Sequence, residues 1–162
     1  MIERDVTQID SLEYLADEVL EIIQARGPEE AVVLAFHGDL GAGKTTFIQL
    51  LAKKLGVVET VTSPTFMLMK MYLLPVQYNK YGEVRDDVFL KFVHADVYRI
   101  EEIDEMRVLG FEKLLAEKGS IICIEWAEKV AEMLPQNVID ITFTLEGERR
   151  SVTISHEQTV EQ

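Results

Sequence analysis

The chain is poor in cysteine, in long apolar runs and in basic residues. Cys123 is its single cysteine, which excludes an intrachain disulfide, and the surrounding apolar run 121–124 favours a buried thiol over a reactive one. No stretch approaches the roughly 18 apolar residues of a membrane span. Residues 1–5 also lack the basic and apolar regions of a signal peptide. We therefore expect a cytoplasmic protein with no membrane span.

Acidic residues outnumber basic ones by 29 to 16, which gives a formal net charge of −13. This charge repels polyanions over most of the surface, so we expect no direct binding of nucleic acid. A nucleic acid in the pathway of this protein would then be held by a partner. The same acidity also suits a small protein that is kept soluble by its charge, and composition leaves both interpretations open.

The length of 162 residues suits one α/β domain with a sizeable core, so we predict a single domain over residues 1–162. An amphipathic pattern over residues 12–23 follows Ser11, a residue typical of helix N-caps, and predicts a helix that ends near Gly27. A second amphipathic pattern predicts another helix over residues 103–117. Its candidate core contacts are Met106, Leu109, Phe111, Leu114 and Leu115.

Two pairs of apolar segments predict antiparallel hairpins. Residues 67–74 and 88–95 are joined by a polar connection without a helical period. Residues 138–145 and 150–154 alternate with period two around a turn. Antiparallel pairs beside a parallel strand–loop–helix unit give a mixed sheet.

Residues 38–45 read GDLGAGKT, a complete G-x-x-x-x-G-K-[ST] phosphate loop. The apolar run 31–36 before the loop predicts a buried parallel strand, and the spacing over residues 45–55 predicts a helix behind it. This order aims a helix N-terminus at phosphate groups. The sequence therefore predicts a site for a nucleoside triphosphate with magnesium. The fold class that follows is α/β, a P-loop NTPase-like three-layer sandwich with a mixed parallel and antiparallel central sheet.

The chemistry of the loop assigns roles to its residues. Glycines let the backbone wrap so that N–H groups point at phosphate oxygens. Lys44 supplies a positive charge near the β- and γ-phosphates, and the Thr45 hydroxyl reaches Mg²⁺. The loop residues predicted to contact the nucleotide are Asp39, Leu40, Gly41, Ala42, Gly43, Lys44, Thr45 and Thr46.

Two carboxylates close apolar strands and would project toward the same crevice. Asp96 ends the strand 92–95, and Glu125 ends the strand 121–124. A phosphate loop requires such an acid to hold or orient the metal, and a group to position the attacking nucleophile. The guanine-reading motif N-K-x-D does not occur in the sequence, because the segment 79–82 lacks its aspartate. ATP is therefore favoured over GTP.

Four blocks in order resemble the TsaE (YjeE) family of tRNA threonylcarbamoyladenosine-modification ATPases. They are GDLGAGKTT at 38–46, SPTF at 63–66, HADVYR at 94–99 and IEWAE at 124–128. The resemblance covers nearly the whole chain. It implies an Mg-dependent ATPase that is weak alone and acts with the TsaB and TsaD proteins, which modify certain tRNAs.

The resemblance also implies roles for particular residues. Asp96 and Glu125 become the metal-side and water-positioning carboxylates, with the division between them open. Thr65 matches a switch-like loop that senses the γ-phosphate, and an ordinary proline turn is the alternative. Trp126 packs either near the nucleotide or in the core. His94 is interpreted as part of a hydrogen-bonded scaffold around Asp96.

Other interpretations stay open at this point. A small-molecule or nucleoside kinase shares the phosphate loop, although the sparse arginines in the middle of the chain make a poor phosphate lid. A nucleotide-gated binding module without significant hydrolysis is the third candidate. The segment 73–87 looks long for this family, and it predicts a partner contact, self-association or a solvated loop.

Overall fold

A computed structural model describes residues 1–64 and 67–156. The described strands form one seven-stranded sheet in the order β1-β7-β6-β2-β5-β4-β3. The strands are β1 Ile2–Asp5, β2 Val32–His37, β3 Met69–Leu73, β4 Lys91–Asp96, β5 Ser120–Glu125, β6 Ile139–Glu146 and β7 Arg149–Ser155. The helices are α1 Ile9–Arg26, α2 Lys44–Lys54, α3 Asp104–Val108 and α4 Phe111–Leu115, with a 3₁₀ helix at Ala127–Met133.

The centre of the sheet is parallel and its edges are antiparallel. Strand β2 pairs in parallel with both β5 and β6, and β4 pairs in parallel with β5. Strands β3, β7 and β1 add antiparallel pairs at the two edges. The predicted mixed sheet and both predicted hairpins are thereby confirmed.

The sheet is covered on both faces, which makes three layers. Side chains alternate along β2, so that Leu34 and Phe36 pack with α1 and α2, while Val33 and Ala35 pack with the helices of the other face. A strand covered on both faces is typically one continuous apolar run, as β2 is over residues 32–36 and β5 over residues 121–124. The three-layer α/β prediction is confirmed. Cys123 on β5 is fully buried, and burial together with the nearby Glu125 raises the pKa of its thiol well above the usual value.

Two helix predictions need correction. Helix α1 begins at Ile9 with Gln8 as its N-cap, so Ser11 is not the cap but lies in the first turn, where its N–H donates to the Gln8 carbonyl at 3.2 Å. The apolar pattern missed this turn because Ile9 is exposed. The helix predicted over residues 103–117 is two short helices, α3 and α4.

The break between α3 and α4 falls at Gly110. Its φ of +75° is left-handed, a conformation that ends α3 and starts α4 in a new direction. Met106 and Phe111 on the two sides of the break are both fully buried. Leu109, predicted to contact the core, is instead 47% exposed.

The N-terminal strand β1 was not predicted from the sequence. It pairs antiparallel with β7, from Ile2 opposite Ile154 to Asp5 opposite Ser151. Three of its four residues are exposed, so no alternation marks it.

The connection between β3 and β4 includes the segment 73–87. Tyr78 and Val84 form an isolated antiparallel bridge, and Asn79 closes the turn between them by accepting from the N–H groups of Tyr81 and Glu83. Several of its large side chains are exposed: Leu73, Val76, Tyr78, Tyr81 and Val84. A partner or self-association role for this segment remains a prediction. No helix in the described part of the chain is long and apolar enough to cross a membrane.

Candidate nucleotide-binding site

The phosphate loop leaves the carboxyl end of β2 and enters α2 through three glycines with positive φ. These angles are +126° at Gly38, +78° at Gly41 and +111° at Gly43, the N-cap of α2. Residues other than glycine rarely adopt such backbone angles. A Cβ on Gly38 would also lie 2.3 Å from the carbonyl oxygen of Phe143 on β6. The loop conformation therefore depends on glycine, most of all at Gly38.

Lys44 is the first residue of α2, and its side chain turns back into the loop. Only 4% of the residue is exposed. Its Nζ donates to the carbonyl oxygens of Gly38 and, at 2.9 Å, Asp39. The same atom lies 4.7 Å from the ring centroid of Trp126. The ammonium is thus held inside the loop by carbonyl dipoles and an aromatic face.

Glu125, at the end of β5, is buried against the start of α2. The Thr45 hydroxyl donates to Glu125 Oε1 at 2.7 Å, and His94 Nε2 lies 2.8 Å from the same oxygen. His94 Nδ1 has no hydrogen-bond partner in the described part of the chain, so the proton that this ring shares with Glu125 lies on Nε2. The predicted scaffold role of His94 is therefore directed at Glu125 and not at Asp96.

Asp96, at the end of β4, faces Ser63, the first residue of the segment 63–65 that the resemblance interprets as a switch-like loop. Its Oδ2 accepts from the Ser63 hydroxyl at 3.3 Å, and its Oδ1 accepts from the Tyr98 N–H at 3.0 Å. Thr65, the predicted γ-phosphate sensor, lies outside the described residues. Ser63 and Tyr98 were not predicted as site residues, although both belong to blocks that carried the family resemblance.

The strand register explains why the two carboxylates meet at the loop. Asp96 pairs directly with Glu125, and Glu125 pairs with Phe36, two residues before Gly38. The strands are parallel, so their carboxyl ends form one edge of the sheet. Both acids lie beside the loop because each ends a strand parallel to β2 in this sheet.

Most of the predicted site residues line one cleft of about 230 Å³. Its lining comprises Leu40, Gly41, Gly43, Lys44, Thr45, Thr46, Ser63, Asp96, Tyr98, Glu125 and Trp126. Ala42 lines a neighbouring cleft with Phe143, and Asp39 contributes the carbonyl that accepts from Lys44. Phe143 is a further residue that sequence reasoning missed, since alternation marks it only as a buried strand position.

Trp126 forms one wall of the cleft. Its φ of +60° is left-handed, and it precedes the 3₁₀ helix as N-cap. Its ring lies 4.8 Å from the ring of Tyr98, centroid to centroid, and packs against the ammonium of Lys44. The side chain is only partly buried, so it lies at the edge of the core and faces the phosphate loop.

The oxygen ligands of the cleft suit magnesium shared with phosphate groups. Mg²⁺ prefers oxygen ligands and is usually held by one or two carboxylates together with substrate phosphates. Thr45 and Glu125 supply adjacent oxygens, and Asp96 supplies a carboxylate on the neighbouring strand. Within residues 1–64 and 67–156, no group of three or more His, Cys, Asp or Glu side chains could hold a metal. Thr45, Glu125 and Asp96 are the few protein oxygen donors that such a shared magnesium site requires.

Comparisons with known proteins place the chain in a family. The family model described as "Threonylcarbamoyl adenosine biosynthesis protein TsaE" matches residues 6–152. A protein of Bacillus subtilis named tRNA threonylcarbamoyladenosine biosynthesis protein TsaE is 37% identical over 124 residues, 76% of this chain and 68% of the relative. A protein of the same name from Treponema pallidum is 34% identical over 128 residues, 78% of this chain and 84% of the relative.

A solved structure shares the fold. The crystal structure of Bacillus subtilis YdiB aligns with a TM-score of 0.62 at 26% identity, over 96% of this chain and 84% of that one. The matched residues include the phosphate loop, both carboxylates and Trp126, because all lie between residues 6 and 152. The chain therefore belongs to the TsaE family.

Proposed function

We propose that this chain binds and hydrolyses Mg-ATP in support of tRNA N6-threonylcarbamoyladenosine biosynthesis, acting with TsaB and TsaD. The observation that carries the proposal is the glycine-dependent loop whose Thr45 hydroxyl is hydrogen-bonded to the buried carboxylate of Glu125. Family membership supplies the pathway, since the relatives are named for that biosynthesis.

The residues of the chain divide the work of phosphoryl transfer to water. The N-terminus of α2 offers backbone N–H groups to phosphate oxygens. Lys44 offers an ammonium whose present acceptors, the Gly38 and Asp39 carbonyls, are weaker than phosphate oxygens. Positioning and electrostatic stabilisation of this kind account for most catalysis of phosphoryl transfer.

Magnesium, when bound, neutralises charge on the phosphate oxygens. Thr45 and Glu125 are the residues that would hold it, since their oxygens are already 2.7 Å apart. His94 fixes the Glu125 carboxylate from the opposite side. Asp96 hydrogen-bonds Ser63 of the loop that follows α2, which suits it to orient the attacking water.

The role of the partners follows from charge. A net charge of −13 opposes tRNA binding by this chain, so we assign that binding to TsaB and TsaD. A kinase receives less support, because Arg85 is paired with Asp87 and Arg107 with Asp104 in exposed ion pairs.

Phosphate release from Mg-ATP tests the proposal directly. The purified chain is measured alone and then with TsaB and TsaD. We expect slow release alone and faster release with the partners. Tight ATP binding without release in either condition would replace hydrolysis with nucleotide-gated docking, and phosphate transfer to a metabolite hydroxyl would favour the kinase.

The division of roles between the two carboxylates is testable by isosteric variants. Glu125→Gln keeps the size of the side chain and removes the charge beside Thr45, so Mg-dependent ATP affinity should fall by about tenfold, the scale of one lost charge-assisted contact. Asp96→Asn should leave affinity within about threefold and lower the rate of phosphate release by about 10²-fold, the lower range for general acid–base catalysis. Isothermal titration measures the affinity and a phosphate-release assay measures the rate. If Glu125→Gln lowered mainly the rate and Asp96→Asn mainly the affinity, the roles of the two carboxylates would be reversed.

A further inference from the structure

A histidine lies between two carboxylates at the base of the phosphate loop, and none of the roles assigned above uses it. His37 is the last residue of β2 and directly precedes Gly38. Its Nε2 lies 2.8 Å from Asp140 Oδ1, and its Nδ1 lies 3.2 Å from Glu128 Oε2. Both ring nitrogens therefore face a carboxylate oxygen.

Only the protonated ring can donate to both carboxylates. A neutral imidazole carries one N–H, and its other nitrogen then presents a lone pair to an anionic oxygen. The two carboxylates that contact the ring are Glu128 of the 3₁₀ helix and Asp140 of β6. Glu125 is engaged by Thr45 and His94, and Lys44 by loop carbonyls.

The three segments joined at His37 are the ones that surround Lys44. The 3₁₀ helix that carries Glu128 begins directly after Trp126, whose ring packs on the Lys44 ammonium. Strand β6 carries Asp140 and, three residues later, Phe143, whose carbonyl abuts Gly38. Strand β2 itself ends in the loop whose first carbonyl accepts from Lys44. A bridge at His37 therefore connects the start of the phosphate loop to β6 on one side and to the 3₁₀ helix on the other.

We propose that His37 is a positioning residue for nucleotide binding, acting as an imidazolium bridge that ties β6 and the 3₁₀ helix to the start of the phosphate loop. This proposal rests on the proposed function, since its ligand is Mg-ATP. The bridge is complete only while the ring is protonated, because a neutral imidazole has a single N–H donor. When these segments are held less firmly, the binding of Mg-ATP must order them, and this cost lowers the affinity.

The expected size of the effect is modest because the bridge is accessible to solvent. Side-chain exposure is 26% for His37, 52% for Glu128 and 44% for Asp140. Ion pairs with this exposure are screened by water and salt. We expect removal of the imidazole to lower the affinity for Mg-ATP about threefold, the scale of one exposed pair.

Equilibrium titration of Mg-ATP tests the bridge with three variants. His37→Gln removes the cation and should lower the affinity for Mg-ATP about threefold. His37→Arg keeps a permanent cation with several donors, so its affinity should stay near that of the unmodified chain. His156→Gln, beyond the end of β7, is the matched control and should follow the unmodified chain.

The outcomes separate the bridge from the proposed function. An affinity of His37→Gln equal to that of the unmodified chain overturns the bridge and leaves ATP binding intact. A loss of affinity in His37→Arg as large as that in His37→Gln overturns it as well. Absence of Mg-ATP binding by the unmodified chain overturns the proposed function instead.

Discussion

Replacement of Lys44 by alanine is expected to lower the kcat/KM of ATP hydrolysis by about 10²- to 10³-fold, the usual cost of one preorganised donor in a water-excluded site. Lys44 is almost fully buried, and its Nζ already lies within the loop, held by the Gly38 and Asp39 carbonyls. Its charge is therefore in place before substrate arrives, and no other lysine or arginine lines the cleft among the described residues.

A matched control for this variant lies on the same helix. Lys53→Ala removes an exposed lysine near the C-terminal end of α2 and should leave phosphate release unchanged. Thermal unfolding of both variants separates loss of chemistry from loss of fold. Release by a folded Lys44→Ala protein within about threefold of the unmodified rate would contradict the role of this lysine. In the tRNA modification assay with TsaB and TsaD, the same variant should fail to support multiple turnovers.

The candidate nucleotide site could be predicted from the sequence to the extent that strand ends and glycines define it. The loop pattern requires positive φ at its glycines, and Gly38, Gly41 and Gly43 have it. Parallel strands share one edge for their carboxyl ends, so Asp96 and Glu125 had to approach the loop once both strands were recognised.

Contacts that depend on packing between distant elements could not be predicted in the same way. His94 lies two residues before Asp96, so its side chain points to the same face of β4, yet its hydrogen-bond partner is Glu125 on the neighbouring strand. The sequence does not indicate which strands are neighbours in the sheet. It therefore suggested only the partner nearby in the chain, Asp96. His37 escaped notice for the same reason, because its two carboxylates come from positions 91 and 103 residues further along the chain.

Local signals also failed where their energies are small. One glycine in a helical pattern costs only about 1 kcal/mol, so Gly110 did not forbid the single helix predicted over residues 103–117. Burial of Met106 and Phe111 on both sides of the glycine outweighs the loss of a continuous helix. Strand β1 is held by its pairing with β7. No pattern within its four mostly exposed residues indicates this pairing.

Gly38 joins the fold and the site, and its replacement by alanine is expected to damage both. A Cβ at this position would lie 2.3 Å from the Phe143 carbonyl oxygen, a contact that only a backbone shift can relieve. The φ of +126° adds strain for any residue other than glycine. We expect the free energy of unfolding to fall by about 3 kcal/mol, and Mg-ATP binding to be lost because the Gly38 carbonyl that holds Lys44 moves with the loop.

The hairpin glycine Gly147 isolates the steric part of this effect. Its φ is +63°, and a Cβ there would meet no atom within 4 Å, so Gly147→Ala should cost only the left-handed strain of about 1 kcal/mol. Denaturant unfolding of both variants measures the difference, and isothermal titration measures Mg-ATP binding. Equal destabilisation by the two substitutions would mean that β6 yields to the added methyl group at little cost. In that case, the close approach of Phe143 to Gly38 would not be what fixes the loop.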